Sequence, residues 1–456
     1  MKQLAALLLG CSLLATACAS SNNGVDTASA SPEATIQAEA SVPPTSSEDT
    51  ADSQDDSLQS PTTAEAVPTT TPALTEIDCA GEQPSIDDVV ESFSGIGFDL
   101  LRDETADENA VLSPASIGHA VLMLRPAADD ATGAAIDAAL GLPPCRSVHE
   151  AWSDVDQQIS NANETFLNRD GVASPVVRIA DRIWPSQLAN PDPEWVDLLS
   201  TYHRSDVSPI DTTQPETSRE TINAWVSEQT RELIPELLPP DFIQPNTSLV
   251  LTDAIYFEAA WASEFTRGTG GPFQLLDGSE TRLPLLSNVL STPYGTGEGW
   301  TATSLEYGGN DFSMLIVVPD SGRFNEVRDG LSHGFIEEVD ASLGDAFFWL
   351  RMPQWETDTT IDLIEWLGEI GAAPGLYPGI GSTPPSILSD GIHGATIAVD
   401  ENGTVAAAAT ALGTITASAP PSPEFEFVVD RPFFYLIRHD ETGLVMFAGQ
   451  VTDPTR

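Results

Sequence analysis

Basic side chains are few in this 456-residue sequence. Lysine and arginine together number 18 against 69 aspartates and glutamates, which gives a formal net charge of −51 at pH 7. The only lysine is Lys2. Nucleic acids and anionic lipid surfaces are bound through clusters of positive charge, so this composition argues against both as partners. With 41% hydrophobic residues, the chain can nevertheless bury a sizeable core.

Long hydrophobic runs are also lacking, and the clearest apolar stretch lies at the N-terminus. Leu4 to Leu14 follow Lys2 and are too few to span a bilayer as a helix, which is typical of a signal peptide, here residues 1–17. Small residues directly precede Cys18 and resemble the bacterial lipoprotein cleavage box, with Ala15 where leucine is more usual. We therefore expect an exported lipoprotein at the extracellular face or in the periplasm, held to the membrane only through a lipid on Cys18. An ordinary signal peptide with an incidental cysteine is the alternative.

Residues 18–77 contain no aromatic and no basic side chain. Such a segment of Ser, Thr, Ala, Pro, Asp and Glu cannot bury enough apolar surface to offset the entropy lost on ordering. We predict a disordered acidic tether, and a folded domain over residues 78–456.

Cysteine occurs four times, and Cys11 and Cys18 belong to the leader. Cys79 and Cys145 are the remaining pair, and their spacing fits no zinc pattern. In an exported protein we expect them to form a disulfide, whereas two buried free thiols are the alternative. No metal or cofactor motif is present, so we expect neither.

The folded region alternates amphipathic helices with short apolar strands, which predicts an α+β domain. The predicted helices are Ile86–Arg102, a helix entered through Ser113-Pro-Ala-Ser116-Ile, Asp130–Leu140 and Pro193–Tyr202. The predicted strands are Val177–Trp184, Leu249–Trp261, Asp311–Pro319, Phe347–Pro353 and two closing strands after Asp430.

These segments, in this order, resemble the serpin (serine protease inhibitor) family over about residues 80–456. The most specific matches are Ser113-Pro-Ala-Ser-Ile, Ile222-Asn-Ala-Trp, Leu249-Val-Leu-Thr-Asp-Ala-Ile-Tyr-Phe and Asp430-Arg-Pro-Phe-Phe. The resemblance implies three β-sheets with about nine helices, an exposed reactive-centre loop and a monomer. It also implies a suicide-substrate inhibitor, in which a protease cleaves the loop, is trapped as an acyl-enzyme, and the loop inserts into the main sheet.

By this resemblance the loop begins at a hinge whose residues are small and uncharged after its first position. Alternation along a strand would point Thr404, Ala406, Ala408 and Thr410 inward. Val405 departs from the glutamate usual in the family, and it would face outward. The hinge comprises Glu401, Asn402, Gly403, Thr404, Val405, Ala406, Ala407, Ala408, Ala409 and Thr410.

Counting seventeen residues from Glu401, as in the family, places the reactive bond at Ala417-Ser418. Thr416 and Ile415 are the alternatives if the register differs by one or two. A small residue before the bond implies an elastase-like or subtilisin-like serine protease as target. A trypsin-like protease is disfavoured, because no Lys or Arg occurs between Glu401 and Asp430.

The resemblance also implies a polar cluster beneath the main sheet, formed by Ser113, Ser116, Asp253 and His393. Asp253 stands where the family usually has asparagine, so we expect an ion pair with His393. Trp261 matches the tryptophan at the top of the sheet, where loop insertion begins.

Two other functions remain open at the level of sequence. A secreted hydrolase would need a Ser–His–acid triad assembled from distant residues; His-Glu-x-x-His does not occur, and Gly-x-Ser-x-Gly occurs at Gly330-Leu-Ser-His-Gly334. A non-inhibitory serpin acting as a binding or scaffold protein is the closer alternative. We expect no enzymatic activity.

Overall fold

The computed structural model describes residues 79, 81, 83–105, 107–165, 175–382, 386–404 and 422–456. Within these residues there are nine α-helices. They are α1 (Ile86–Glu104), α2 (Pro114–Leu124), α3 (Asp130–Leu140), α4 (Arg146–Thr165), α5 (Pro193–Tyr202), α6 (Pro215–Gln229), α7 (Phe324–Asp329), α8 (His333–Ser342) and α9 (Leu363–Glu369). No described helix is long and apolar enough to cross a membrane.

The described strands number nineteen. They are β1 (Ala110–Leu112), β2 (Val176–Ile179), β3 (Arg182–Pro185), β4 (Leu249–Ala260), β5 (Thr266–Arg267), β6 (Gly271–Gln274), β7 (Glu280–Leu283), β8 (Leu285–Gly297), β9 (Trp300–Glu306), β10 (Phe312–Pro319), β11 (Gly344–Pro353), β12 (Trp355–Asp362), β13 (Leu376–Tyr377), β14 (Ser386–Ile387), β15 (Asp390–Val399), β16 (Gly403–Thr404), β17 (Glu426–Val428), β18 (Phe433–His439) and β19 (Val445–Val451).

Two large sheets organise these strands. The central sheet has six strands in the order β12-β15-β16-β4-β2, with β3 also on β4. The other sheet has nine strands in the order β1-β19-β18-β10-β9-β8-β11-β17, with β5 on β8. In the second sheet β8 pairs with β11 over Leu285–Tyr294 and with β9 from Tyr294 onward, so that it joins two arms. The two arms and the central sheet correspond to the three sheets expected, and the predicted α+β fold is confirmed.

Helix α2 is the core element beneath the central sheet. All eleven of its residues are buried, so it is apolar on every face, as a helix enclosed by protein must be. Ser113 caps its N-terminus by accepting from the backbone N–H of Ser116, and Pro114 occupies the first turn, where its missing N–H is no loss. Gly118 permits close packing against α1, because a Cβ there would lie 2.3 Å from the Phe93 ring.

The strand predicted at Val177–Trp184 is divided into β2 and β3 by Ala180 and Asp181. Both halves pair with β4, and the backbone N–H of Ala180 donates to the carbonyl of Ala254. The interruption matters because it carries a buried carboxyl group, that of Asp181, beneath the sheet.

The expected disulfide between Cys79 and Cys145 is present, with Cα atoms 5.2 Å apart. It joins the beginning of the described domain to the residue preceding α4. In the chain-entropy model, closing a loop of this size contributes about 4 kcal/mol to stability. Cys18 lies outside the described residues.

Candidate functional site

The hinge enters the central sheet at its first residues. Gly403 and Thr404, which form β16, lie between β15 and β4. Thr404 stands opposite Val399 of β15 on one side and Ala259 of β4 on the other. Its side chain is 1% exposed, so the inward orientation predicted for Thr404 is what the structure has.

Further from β16, the strands β15 and β4 pair with each other in parallel. The pairing extends from Asp390 opposite Val250 to Gly394 opposite Ala254. Among the described residues it stops there, so that four residues of each strand, 395–398 and 255–258, separate the closed part of the sheet from β16. The sheet therefore has a cleft between its two central strands, entered from the end that β16 occupies.

Aromatic side chains fix Thr404 at the mouth of this cleft. The Thr404 hydroxyl lies 2.5 Å from the Tyr307 hydroxyl, and the Tyr307 ring stacks on Trp261 at 4.6 Å. The Trp261 indole N–H donates to the Asp400 carbonyl, and its backbone N–H donates to the Asn402 carbonyl. Trp261 thus holds the chain on both sides of the turn that leads into β16, where we predicted insertion to begin.

Gly403 is required here by a close approach of two backbones. A Cβ at this position would lie 2.1 Å from the carbonyl oxygen of Ala259, a distance that no side chain tolerates. Contact with β4 is therefore the reason that this position needs glycine. Glu401, the first hinge residue, pairs with Arg267 at 2.7 Å.

The rest of the predicted loop lies outside the described residues. This applies to the hinge positions Val405, Ala406, Ala407, Ala408, Ala409 and Thr410, and to the reactive-bond residues Ala417 and Ser418.

Beneath the cleft, the predicted polar cluster joins β4 to β15. Asp253 and His393 are directly opposed residues of the parallel pair, and Nδ1 of His393 lies 2.6 Å from Oδ1 of Asp253. The backbone N–H of Ser113 donates to Nε2 of His393 at 3.1 Å. Ser116 Oγ lies 2.6 Å from the same oxygen of Asp253. The four residues predicted from the sequence are therefore in mutual contact, and all are fully buried.

The expected ion pair between Asp253 and His393 is not what this geometry supports. A histidinium carries protons on both ring nitrogens, whereas Nε2 of His393 accepts from the Ser113 backbone N–H and so carries none. His393 is a neutral ring that donates from Nδ1 to the Asp253 carboxylate. The contact is a charge-assisted hydrogen bond with a single charge.

A second carboxyl group belongs to the cluster and was missed from the sequence. Asp181 Oδ1 lies 2.6 Å from Ser116 Oγ, on which both aspartates therefore converge. Burial, and then the charge of Asp253, raise the pKa of Asp181 well above its ordinary value. The only signal in the sequence was an acidic residue inside a strand predicted to be buried.

Three histidines that the sequence did not indicate extend the hydrogen-bonded cluster from Asp181 to α4. Nδ1 of His119 lies 2.7 Å from Asp181 Oδ2, and its Nε2 lies 3.1 Å from Nδ1 of His203. Nε2 of His203 in turn lies 2.9 Å from Nδ1 of His149. We call His119, His203 and His149 the histidine chain. Burial lowers the pKa of His119 to about 4 and of His149 to about 3, and it lowers that of His203 well below its ordinary value.

These lowered values predict a pH-dependent stability. A histidine titrates near pH 6.5 when unfolded, whereas the histidine chain of the folded protein stays neutral well below that pH. Because the unfolded state then binds more protons than the folded state, stability falls as the pH drops below 6.5. Asp181 has the opposite sign, since its raised pKa makes the folded state bind the extra proton. We expect His149→Asn, which keeps a donor at the Nδ1 position, to remove about 1.4 kcal/mol per pH unit from the slope of unfolding free energy between pH 6 and 4.

Urea unfolding at several pH values measures this slope. His333→Asn, at a partly exposed histidine on α8, is the matched control. Equal slopes for the wild type and His149→Asn would contradict the prediction.

The central sheet therefore holds Gly403 and Thr404 between β15 and β4, two strands that the polar cluster joins below. The family model Serpin (serine protease inhibitor) matches residues 90–454, and the chain belongs to the serpin family.

Relatives from distant organisms cover most of the chain. An uncharacterized serpin-like protein of Methanosarcina acetivorans is 29% identical over 381 residues, 80% of this chain and 86% of that protein. Leukocyte elastase inhibitor A of Mus musculus is 27% identical over 380 residues, 78% of this chain and 96% of that protein. The crystal structure of Manduca sexta serpin-12 shares the fold, with a TM-score of 0.70 and 21% identity over 82% of this chain and 99% of that one.

Proposed function

We propose that this protein is a suicide-substrate inhibitor of serine proteases with elastase-like or subtilisin-like specificity. The observation that carries the proposal is the position of Thr404, paired with both β15 and β4 at the open end of a cleft between them. A loop that starts in this position needs only to continue in the same register to become a complete strand.

The register of that continuation can be followed residue by residue. Strand β16 is antiparallel to both β4 and β15. Each residue after Thr404 would therefore lie opposite the preceding residue of β4 and the preceding residue of β15. Val405 to Ala408 would fill the cleft opposite residues 258–255 and 398–395. Thr410 would then stand opposite Asp253 on one side and His393 on the other. Complete insertion must therefore break the hydrogen bond that joins these two residues.

The residues bordering the cleft favour small side chains at the inward positions. Ala406 would face the buried Phe257 and Ile397, and Ala408 would face the buried Ile255 and Ala395. Val405 would lie beside Glu258 and Ala398, both partly exposed. The alternation read from the sequence matches the burial pattern of the strands that would receive the loop.

The chemistry of inhibition belongs to the protease, and this chain supplies the substrate and the strand. The protease serine Oγ forms an ester with the carbonyl carbon of Ala417, the Ala417–Ser418 peptide bond breaks, and the Ser418 nitrogen leaves with a proton. Insertion of the freed hinge would then carry the esterified protease away from its position of attack, before water reaches the ester.

The residue before the reactive bond defines the target class. Ala417 suits a narrow specificity pocket, and no basic residue lies between Glu401 and Asp430 to engage a trypsin-like one. The mouse relative is named a leukocyte elastase inhibitor, which supports the same class.

The surroundings of Ser116 argue against a hydrolase that uses this serine as its nucleophile. Ser116 lies beside two buried aspartates, but its hydroxyl is hydrogen-bonded to both carboxyl groups and is fully buried. In the described residues no ring nitrogen is bonded to it, so it lacks both the histidine base of a triad and access to substrate. The Gly330-Leu-Ser-His-Gly334 pattern connects helix α7 to helix α8, and does not connect a strand to a helix as a nucleophile elbow does.

Incubation with pancreatic elastase, followed by a denaturing gel, tests the proposal. An inhibitor gives an SDS-stable band at the combined mass of the protease and the cleaved chain. Cleavage of the loop without that band would identify a non-inhibitory serpin, and multiple turnover of a peptide substrate would identify a hydrolase.

We also propose that residues 18–77 tether the domain to a membrane through a lipid on Cys18. The support is the short apolar leader, the small residues before Cys18 and the acidic, aromatic-free segment that follows. We expect Cys18→Ser to move the protein from the membrane fraction to the soluble fraction in a bacterial host. An unchanged membrane fraction would refute the lipid anchor.

A further inference from the structure

The polar cluster and the histidine chain form one continuous, buried path of hydrogen bonds. It begins at the strand pair β4–β15 and ends on α4, and every member is at most 6% exposed. In order, its members are His393, Asp253, Ser116, Asp181, His119, His203 and His149. Four of the six histidines of the chain lie on this path, which the inhibitory mechanism proposed above does not use as a whole.

The geometry fixes the number of protons at the strand end of the path. Ser116 has one hydroxyl proton, yet its oxygen lies 2.6 Å from carboxyl oxygens of both Asp253 and Asp181. One of the two acids must therefore carry a proton of its own. Asp181 is that acid, since burial and the neighbouring Asp253 hold its pKa high. It donates to Ser116, which donates to the Asp253 carboxylate.

The histidine chain has a consistent direction as well. Because Asp181 uses its proton toward Ser116, its other oxygen accepts from Nδ1–H of His119. Nε2 of His119 then accepts from Nδ1–H of His203, and Nε2 of His203 accepts from Nδ1–H of His149. All three rings are neutral and carry the proton on the same nitrogen. Each bond therefore points toward Asp253.

The charged groups around the histidine chain come from each element packed against it. Asp156 on α4 lies near His119 and pairs with Arg204, which follows α5, at 3.0 Å. Arg125, at the end of α2, lies near His149 and pairs with Asp137 of α3 at 2.8 Å. Both arginines are thus paired with acids. The Trp152 ring of α4 covers His119 at 4.4 Å.

We propose that this path is a proton relay through which acid at α4 releases β4 from β15. Burial keeps the folded His149 almost entirely neutral at pH 5, so a proton binds at its Nε2 only transiently. While it is bound, His149 passes its Nδ1 proton to His203, His203 passes its own to His119, and His119 passes its own to Asp181. Asp181 then passes its proton to Ser116, and Ser116 to Asp253. One proton enters and one arrives, and every intermediate group ends with the number of protons it had at the start.

The arrival of the proton weakens the contact that closes the sheet. Asp253 Oδ1 is the acceptor for Nδ1–H of His393, and once protonated toward Ser116 it loses its charge and part of its acceptor capacity. Oδ2 of Asp253 is buried and has no hydrogen-bond partner in the described residues, so no second contact replaces the first. The Asp253–His393 bond is the one that Thr410 must displace, and acid should therefore speed insertion.

The relay rests on the proposed function, and its test uses a readout that needs no protease. A fluorescent synthetic peptide with the sequence of residues 403–416 is mixed with the intact protein, and its rate of annealing is measured at pH 7.5 and pH 5. We expect annealing to be at least about twofold faster at pH 5 than at pH 7.5, because each molecule that has received the proton lacks the charge-assisted bond. Asp253→Asn, in which the side chain is permanently uncharged, should anneal rapidly at both pH values.

Variants of the histidine chain identify the path of the proton. His149→Asn and His203→Gln keep a polar side chain at each position but cannot relay a proton, so both should anneal at the wild-type rate at pH 7.5 and lose the acceleration at pH 5. His333→Asn is the control and should keep it. Full acceleration in both variants, or a pH-independent rate in the wild type, would overturn the relay alone. A peptide that never anneals at either pH would overturn the proposed function and the relay with it.

Discussion

Replacement of Thr404 by arginine is expected to convert the inhibitor into a substrate. Thr404 is buried between β15 and β4, with its hydroxyl on Tyr307. A guanidinium there would have to lose its hydration without a paired charge, which costs several kcal/mol. Insertion after cleavage would then be slower than hydrolysis of the acyl-enzyme. We expect the number of inhibitor molecules consumed per protease trapped to rise by at least about tenfold. The uncleaved protein should remain folded but be less stable, since Thr404 is already buried between β15 and β4.

Val405→Arg is the matched control, with the same new side chain one residue further on. In the continued register it lies beside the partly exposed Glu258 and Ala398, so its charge reaches solvent. We expect inhibition close to that of the wild type. If Thr404→Arg trapped elastase with unchanged stoichiometry, or if Val405→Arg failed equally, insertion through this cleft would be refuted.

A change of target specificity is the second large effect. Ala417→Arg places a long cationic side chain before the proposed reactive bond, where it fits the acidic specificity pocket of trypsin and not the narrow pocket of elastase. We expect the rate constant for inhibition of elastase to fall, and that for trypsin to rise, each by at least about a hundredfold.

The same substitution at neighbouring positions locates the bond. Ile415→Arg and Thr416→Arg should introduce trypsin inhibition only if the register differs by two residues or by one. N-terminal sequencing of the released fragment gives the cleaved bond directly. A fragment that begins at any residue other than Ser418 would contradict the assignment of Ala417–Ser418.

The elements with strong local signals could be predicted from the sequence. Helices α3 and α5 begin and end at the predicted residues, Asp130–Leu140 and Pro193–Tyr202. The four residues expected beneath the sheet, Ser113, Ser116, Asp253 and His393, are in contact because their motifs fix positions on α2, β4 and β15.

What the sequence could not indicate depends on contacts between elements far apart along the chain. His119, His149 and His203 belong to three different helical regions, and no spacing in the sequence brings them together. Each alone resembles a buried core histidine. The charge of His393 was predicted wrongly for the same reason, since the decisive contact is a backbone N–H from Ser113, 280 residues away.

Asp181 could be predicted only in part from the sequence. Its position inside a predicted strand could be read from the sequence, but the division of that strand into β2 and β3 could not. The cost of a buried carboxyl group is offset by Ser116 and His119, which lie on a helix that precedes it by more than 60 residues.

The central claim is that the cleaved loop becomes a strand between β4 and β15, and a crystal structure of the protein cleaved in its loop tests it most directly. Asp253 and His393 are now neighbours across one strand spacing, joined at 2.6 Å. Insertion would place Thr410 between them and separate their Cα atoms by two strand spacings, about 9.5 Å. A cleaved structure in which Asp253 still receives the Nδ1 proton of His393, with β4 and β15 paired from Asp390 to Gly394, would contradict the account.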